Sequence, residues 1–269
     1  MCRIRFKSLL LPALLALLAS CSIKEDRRGC PCLLTVDLSQ ILDAGITPTA
    51  WWDKGLHIVL FEFSTGAESR SFYPYEEAMN EYVYRVAKGD VGVSGILGLD
   101  AGILSGREIR CPEGCQSDPL YVSGRTVSCE GEEARTVLEM DKQFTTVEIT
   151  GLASFDYRME VTAGSSGLDI LTCKALEGRF RYPLVCDEDG VVRFRLPRQE
   201  TDDVLVLMYD REDGHLDNAF PLGRYLTEIG YDWNAPSLAD VSVHVDSVTI
   251  SVSITVEGWT HSLEFPYVL

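Results

Sequence analysis

The sequence predicts an all-β protein, and three observations support that fold class. Short segments of alternating apolar and polar residues recur along the 269 residues, with turn-forming residues between them. Long segments with apolar residues at helical spacing are absent from the sequence. The strongest alternation lies in residues 241–256, where Val and Ile alternate mainly with Ser and Thr. Many short strands joined by turns are typical of a sandwich or a barrel.

In the first half of the chain, alternation predicts strands at residues 34–38, 56–63, 82–86 and 91–96. Lys88-Gly89-Asp90 separates the last two of these segments, and a turn of this kind predicts a hairpin. Residues 98–135 are rich in Gly, Cys, Pro and acidic side chains, so we expect mainly loop there.

In the second half, strand patterns cover residues 144–150, 157–162, 191–196, 204–208 and 241–256. Residues 204–208 form a continuous apolar run, which predicts a strand buried on both faces. Residues 187–190 end in Asp-Gly and predict a tight turn. Leu222, Leu226 and Ile229 have helical spacing before Gly230, so one short helix is expected.

The loop-rich stretch 98–140 is the expected divide between two domains. We place an N-terminal β-domain at residues 21–140 and a C-terminal β-domain at residues 141–269.

The N-terminus has the layout of a lipoprotein signal peptide over residues 1–20. Basic residues come first, the apolar run Leu9–Leu18 follows, and Ala19-Ser20 precede Cys21. A transmembrane helix is the alternative, but the run is shorter than the ~20 apolar residues that a span requires. The mature chain is therefore expected to begin at Cys21, carrying covalent lipid that holds it on a membrane.

The charge balance excludes some partners. The formal net charge is −17. Removal of residues 1–20 takes away three basic and no acidic side chains, which gives −20 for the mature chain. Nucleic-acid binding depends on Lys and Arg at the phosphates, so nucleic acid is not an expected partner.

Seven cysteines remain in the chain after Cys2 and Cys21 are set aside. Disulfide bonds are expected for an exported protein, and the odd number leaves at least one thiol unpaired. The candidate disulfide cysteines are Cys30, Cys32, Cys111, Cys115, Cys173 and Cys186. A zinc site made of Cys30, Cys32, Cys111 and Cys115 is the alternative, but these spacings are less diagnostic than CxxC, and no bound metal is expected.

No catalytic residues are expected, and the chain is not predicted to be an enzyme. The four histidines lack the spacing of known metal or nucleophile motifs. Adjacent carboxylates on a strand point to opposite faces and are not poised for acid–base catalysis. Trp51-Trp52 is the one aromatic pair suited to stacking on a sugar, which leaves a surface glycan-binding lipoprotein of a nutrient-uptake system as the alternative function.

Several motifs together resemble a known family, the FimB-type fimbrial anchor subunits of Bacteroides-like bacteria (major and minor fimbrium anchoring proteins). The likeness spans nearly the whole chain and depends on the order and spacing of the motifs. They are residues 21–27 with Cys30-Pro31-Cys32, Cys111–Cys115 with residues 118–121, residues 168–171 and 175–180, residues 220–223, residues 230–233 and residues 256–259.

The resemblance implies two tandem transthyretin-like β-sandwich domains with Greek-key topology and few short helices. It implies an outer-membrane lipoprotein, exposed at the cell surface, that anchors a type V pilus and terminates its assembly. The implied partner is a pilin, the fimbrial shaft subunit, bound by β-strand complementation. Lys24-Glu25-Asp26 is similar to the surface-export signal of such lipoproteins, and no cofactor other than the lipid on Cys21 and no small-molecule substrate are implied.

The tail after Trp259 is the candidate donor strand. Leu263, Phe265, Tyr267 and Leu269 alternate with other residues, which suits insertion into a groove on a partner sheet. The alternative, left open by the sequence, is that the tail is the last strand of its own domain, and Pro266 fits best at a sheet edge.

Overall fold

The computed structural model describes residues 30–43, 54–74, 79–151, 157–246, 251–256 and 259–263. These residues form nineteen strands and two short helices. The predicted all-β fold class is confirmed. The transthyretin-like, Greek-key description and the domain boundary at residue 140 stay predictions.

The first half of the chain contributes ten strands and one short helix. They are β1 (Cys32–Asp37), α1 (Ser39–Asp43), β2 (Leu56–Glu62), β3 (Ala67–Tyr73), β4 (Glu81–Val86), β5 (Asp90–Leu97), β6 (Ile103–Ser105), β7 (Glu108–Arg110), β8 (Tyr121–Ser128), β9 (Glu133–Val137) and β10 (Asp141–Lys142). A three-stranded sheet in the order β4-β1-β9 faces a five-stranded sheet in the order β10-β8-β5-β2-β3. Their inward side chains, among them Leu34, Ile58 and Val93, share one buried core.

The second half contributes nine strands and the second helix. They are β11 (Phe144–Thr150), β12 (Tyr157–Asp169), β13 (Lys174–Leu184), β14 (Val192–Pro197), β15 (Leu205–Asp210), β16 (Leu216–Phe220), α2 (Leu222–Glu228), β17 (Val241–Asp246), β18 (Ser251–Val256) and β19 (Trp259–Leu263). One sheet has the order β14-β11-β17-β18-β19. The other has the order β16-β15-β12-β7-β6, with β13 also paired to β12. Phe180, Phe194 and Leu226 lie in the core between them.

The predicted hairpin of residues 82–96 is wrong. The strands β4 and β5 follow one another in the chain, but β4 pairs with β1, and β5 pairs with β2 and β8. The intervening turn crosses from one sheet to the other. Tyr82, Val86, Val91 and Val93 are all buried in the same core, and this crossing lets both strands contribute to it.

The expectation of loop over residues 98–135 is also wrong, because β6, β7, β8 and part of β9 lie there. Strand β8 occupies an interior position between β5 and β10, and its Val122 is fully buried. The hairpin β6–β7 joins the sheet of the second half, where β7 pairs with β12. Glycines and short strand lengths hide the two-residue period in this stretch.

Other local predictions are confirmed, with two exceptions. Helix α2 forms, and Gly230 follows it with φ of 82°. The 187–190 turn forms with Gly190 at φ 76°. The alternation over 241–256 predicts one strand, but the structure divides it into β17 and β18, which pair in antiparallel register. Strand β15 is not buried on both faces: its Val206 is buried, whereas its other residues are half-buried.

A separate apolar cluster joins the two halves of the molecule. Phe61 and Val122 project from the outer face of the five-stranded sheet, Leu168 comes from the end of β12, and Ile170 comes from the turn that follows it. The turn after β12 lies so close to β8 that a Cβ placed on Gly124 would be 2.5 Å from the carbonyl oxygen of Ile170. We call this contact the junction cluster; it fixes the long β12–β13 hairpin against the first sandwich.

Candidate functional site

Most of the predicted site residues lie outside the described residues. This applies to Cys21, to Lys24-Glu25-Asp26, to Trp51 and Trp52, and to Phe265, Tyr267 and Leu269. The lipid site, the export signal and the glycan alternative therefore stay predictions. The described chain starts at the exposed Cys30 and enters strand β1 two residues later.

Strand β1 is held on both sides. It pairs with β4 in antiparallel register from Cys32↔Val86 to Asp37↔Glu81, and with β9 in parallel register over 33–37. An ionic cluster fastens its far end, because Arg135 of β9 lies 2.7 Å from Asp37 and 2.6 Å from Glu81. The bond from the Ser39 amide, together with Arg135, lowers the pKa of the Asp37 carboxyl.

A tyrosine cluster lies where β3 and β4 approach each other. The hydroxyls of Tyr73 and Tyr84 are 2.9 Å apart, and the rings of Tyr73 and Tyr82 stack with centroids at 3.9 Å. Phe72 and Val83 alternate with these tyrosines along β3 and β4, so they point to the opposite faces, where both are more than half exposed. Among the described strands, β3 lies at the end of its sheet, and an edge of this kind can pair with another chain.

The candidate donor tail begins inside the protein's own sheet. β19 pairs with β18 in the register Val252↔Leu263 to Val256↔Trp259, and it is the edge strand of that sheet. Leu263 is therefore paired within the chain's own sheet, and the choice between a donated and an intradomain tail stays a prediction. Residues 264–269 lie outside the described part.

A polar cleft of about 650 Å³ opens between the two halves. Arg198 borders it and is only 5% exposed. Its guanidinium donates to Gln143 Oε1 at 2.9 Å, to the carbonyls of Ala235 and Pro236 at 2.8 Å, and to that of Trp233. Burial lowers the pKa of Arg198. The guanidinium thus holds the 233–236 segment against β11, which is a structural role.

The seven described cysteines are free thiols in the structure. Cys30 and Cys186 are exposed, whereas Cys32 and Cys129 are fully buried. The Cys111 thiol donates to the carbonyls of Cys115 and Gln116, and burial raises its pKa to about 12. The predicted disulfide bonds therefore stay a prediction.

The described residues contain no group of three or more His, Cys, Asp and Glu side chains that could hold a metal ion. His57 packs on the ring of Phe72 at 4.9 Å, and burial lowers its pKa. His244 is exposed and lies 2.9 Å from Thr150 Oγ1. Within the same part of the chain, no helix is long and apolar enough to cross a membrane.

Sequence reasoning missed the tyrosine cluster and the junction cluster. The first joins consecutive strands that lie in different sheets, and the second joins strands that are far apart in the chain, so no local pattern predicts either contact. Gly124, a glycine in the interior of β8, was the available signal for a close backbone approach at the junction cluster.

The fold defines the class of protein. It is an all-β protein made of two sandwiches, and the junction cluster joins them. No protein-family model matches the chain, and no curated protein matches it. Solved structures do share the fold. The chain is similar to the fimbrial anchor protein Mfa2 from Porphyromonas gingivalis, with a TM-score of 0.60, 13% identity, and coverage of 87% of this chain and 100% of that one.

Two structures from Bacteroides thetaiotaomicron show the same likeness. One protein has a proposed role in polysaccharide binding (TM-score 0.59, 12% identity, 87% and 98% coverage). The other has a proposed role as an adhesin (TM-score 0.54, 13% identity, 87% and 98% coverage). The resemblance to the FimB-type anchors is thereby confirmed at the level of the fold.

Proposed function

We propose that this chain is a non-enzymatic outer-membrane lipoprotein that anchors a fimbrium to the cell surface and terminates its assembly. The observation that carries the proposal is the shared fold with Mfa2, which extends over the whole of that fimbrial anchor protein. The lipoprotein signal that ends at Cys21 supplies the second element, an attachment to the membrane.

The membrane end of the proposed anchor is the short tether before β1. Eleven positions separate Cys21 from Cys32, so even a fully extended tether keeps the first sandwich within about 40 Å of the lipid. Lys24-Glu25-Asp26 lies in this tether and is the proposed surface-export signal.

The junction cluster supports a role in holding two structures together. A fibre gripped by one half and a membrane gripped by the other require a firm connection between the halves. Buried apolar side chains from both halves provide it, with Phe61 and Val122 on one side and Leu168 and Ile170 on the other. Packing of this kind disfavours independent motion of domains.

The fibre end of the proposed anchor is the C-terminal tail. Residues 264–269 continue from the edge strand β19, and Phe265, Tyr267 and Leu269 recur at a spacing of two. Main-chain pairing with a pilin sheet would supply affinity, and these side chains would occupy successive pockets. The proposed partner is therefore the fimbrial shaft subunit.

Substitutions to serine on the two opposite faces of the tail test whether the tail is the donor strand. Phe265→Ser with Tyr267→Ser should abolish co-purification of pilin, whereas Val268→Ser on the opposite face should leave it unchanged. Deletion of 264–269 should act like the double substitution while β19 and the unfolding temperature are preserved. Equal pilin recovery from all variants would exclude the tail as the donor.

The membrane end is tested by fractionation and protease treatment of intact cells. Cys21→Ala should release the protein from the outer membrane, and Cys186→Ala, which changes an exposed cysteine in the folded part, should not. Firm retention of the Cys21→Ala protein in the outer membrane would refute the lipid anchor.

One comparison favours a second function. A protein of the same fold has a proposed role in polysaccharide binding, and Trp51-Trp52 is this chain's candidate sugar platform. Polysaccharide in a native gel would retard the purified protein if it binds glycans. Loss of this retardation in Trp51→Ala and Trp52→Ala variants would support glycan binding over the function of a fimbrial anchor.

A further inference from the structure

Two buried cysteines lie in the core of the first sandwich. Cys32 and Cys129 both have 0% exposure, and both belong to the cluster between the two sheets. Cys32 opens β1 in the three-stranded sheet, whereas Cys129 directly follows β8 in the five-stranded sheet.

The backbone brings both residues to the same end of the sandwich. Cys32 is the register partner of Val86, the last residue of β4. The amide of Cys129 donates to the carbonyl of Gly89 at 2.9 Å. Because residues 87–89 form the turn that crosses between the sheets, the two cysteines meet beside that crossing.

The side chains are in contact. Burial raises the pKa of the Cys129 thiol to about 12, and the neighbouring Cys32, which shares a hydrogen bond with it, adds to the increase. A thiol with so high a pKa is a poor nucleophile in the folded protein. Because both residues have 0% exposure, an oxidant reaches them only during folding, before the core closes over them.

We propose that Cys32 and Cys129 form a disulfide bond that links the two sheets of the first sandwich. The oxidant is a disulfide of an exported dithiol–disulfide oxidoreductase, and in vitro oxidised glutathione serves. One cysteine thiolate attacks that disulfide to form a mixed disulfide, and the second displaces the reduced thiol. Two electrons pass to the oxidant, whose disulfide becomes two thiols, and the two cysteine protons balance the exchange.

Formation of this bond in the cell rests on the proposed export of the chain, since disulfides persist in oxidising compartments. The other cysteines are less suited to it. Cys30 and Cys186 are exposed to solvent, and the Cys111 thiol is engaged with backbone carbonyls. Cys129 was not among the candidates from sequence, because its partner is 97 positions away.

The test refolds the full mature chain with oxidised glutathione, alkylates free thiols in denaturant and maps peptides without reduction. We expect a linked peptide pair that contains Cys32 and Cys129. We also expect reduction to lower the unfolding temperature by about 5–15 °C, as for a disulfide that closes a long loop. Cys186→Ser should keep both properties, whereas Cys32→Ala with Cys129→Ala should remove the effect of the reductant.

Alkylation of both Cys32 and Cys129 in the refolded wild type, or a linkage of either to another cysteine, would overturn the proposal. The wild-type map decides this even where the double variant fails to fold. Because refolding takes place in vitro, its result is independent of where the protein resides. Loss of the proposed surface location in fractionation would therefore be distinguishable from failure of the disulfide.

Discussion

The replacement Gly124→Ala tests how tightly the two halves are docked. A Cβ at this position would lie 2.5 Å from the carbonyl oxygen of Ile170 and closer still to that of Leu171, whereas real Cβ contacts essentially never fall below 3.0 Å. The obstructing atoms are backbone, so no side-chain rotation relieves the clash. The β12–β13 turn has to move away from β8, which disturbs the junction cluster.

Overpacking of this kind costs about 1–3 kcal/mol. For a chain of this size, that cost corresponds to a fall in Tm of about 2–12 °C. Thermal unfolding by calorimetry or circular dichroism measures it. The matched control is Gly131→Ala, where the nearest atom to the added Cβ is Glu133 O at 3.4 Å, an ordinary contact. Both replacements reduce the freedom of the unfolded chain alike, so their difference isolates the clash. Equal Tm values for the two variants would refute the tight docking.

Two further predictions concern charges. Arg198→Ala should lower the free energy of unfolding in urea by about 3–5 kcal/mol, because several buried carbonyls lose their donor. Replacement of the exposed Arg224 by alanine should change it by less than about 0.5 kcal/mol. Similar free energies for the two variants would contradict a structural role for Arg198. Folding lowers the pKa of Asp37, so its ionised carboxylate stabilises the folded state. This contribution is complete above the ordinary pKa of 3.8 and is lost as the pH falls below it. Asp37→Asn should therefore show less loss of stability between about pH 6 and pH 3 than the wild type, and parallel pH profiles would argue against the effect.

Local physics explains which parts of the fold could be predicted. Strong alternation in β11, β17 and β18 and the Leu222–Ile229 pattern before Gly230 are properties of short windows, and the structure reproduces them. Strands β4 and β5 show the limit: their sequences predicted strands correctly, but pairing depends on which core they share. The expectation of loop was wrong at β8 for a related reason. Gly124 weakens the strand pattern, but a glycine is required at this position because the β12–β13 turn lies so close to it.

Residues of the candidate site could be predicted only where they form a contiguous motif in the sequence. The lipoprotein signal at Cys21 is a contiguous motif, and so is the alternating tail that ends at Leu269. The contact between Tyr73 and Tyr84 joins strands of two different sheets, and the contact between Cys32 and Cys129 joins segments 97 positions apart. No spacing rule in one sequence reports such contacts.

The position of β1 has a mechanical consequence. In the proposed anchor, tension from a fibre reaches the lipid through the residues that precede Cys32, so the pull enters the fold at the start of this strand. Withdrawal of β1 along its axis strains its ladders to β4 and β9 together, because both neighbours pair along nearly its whole length. Failure under load is governed by the rate of unfolding. The six residues of β1 would then set how long a fibre stays attached, since their release opens the sandwich that holds the membrane end.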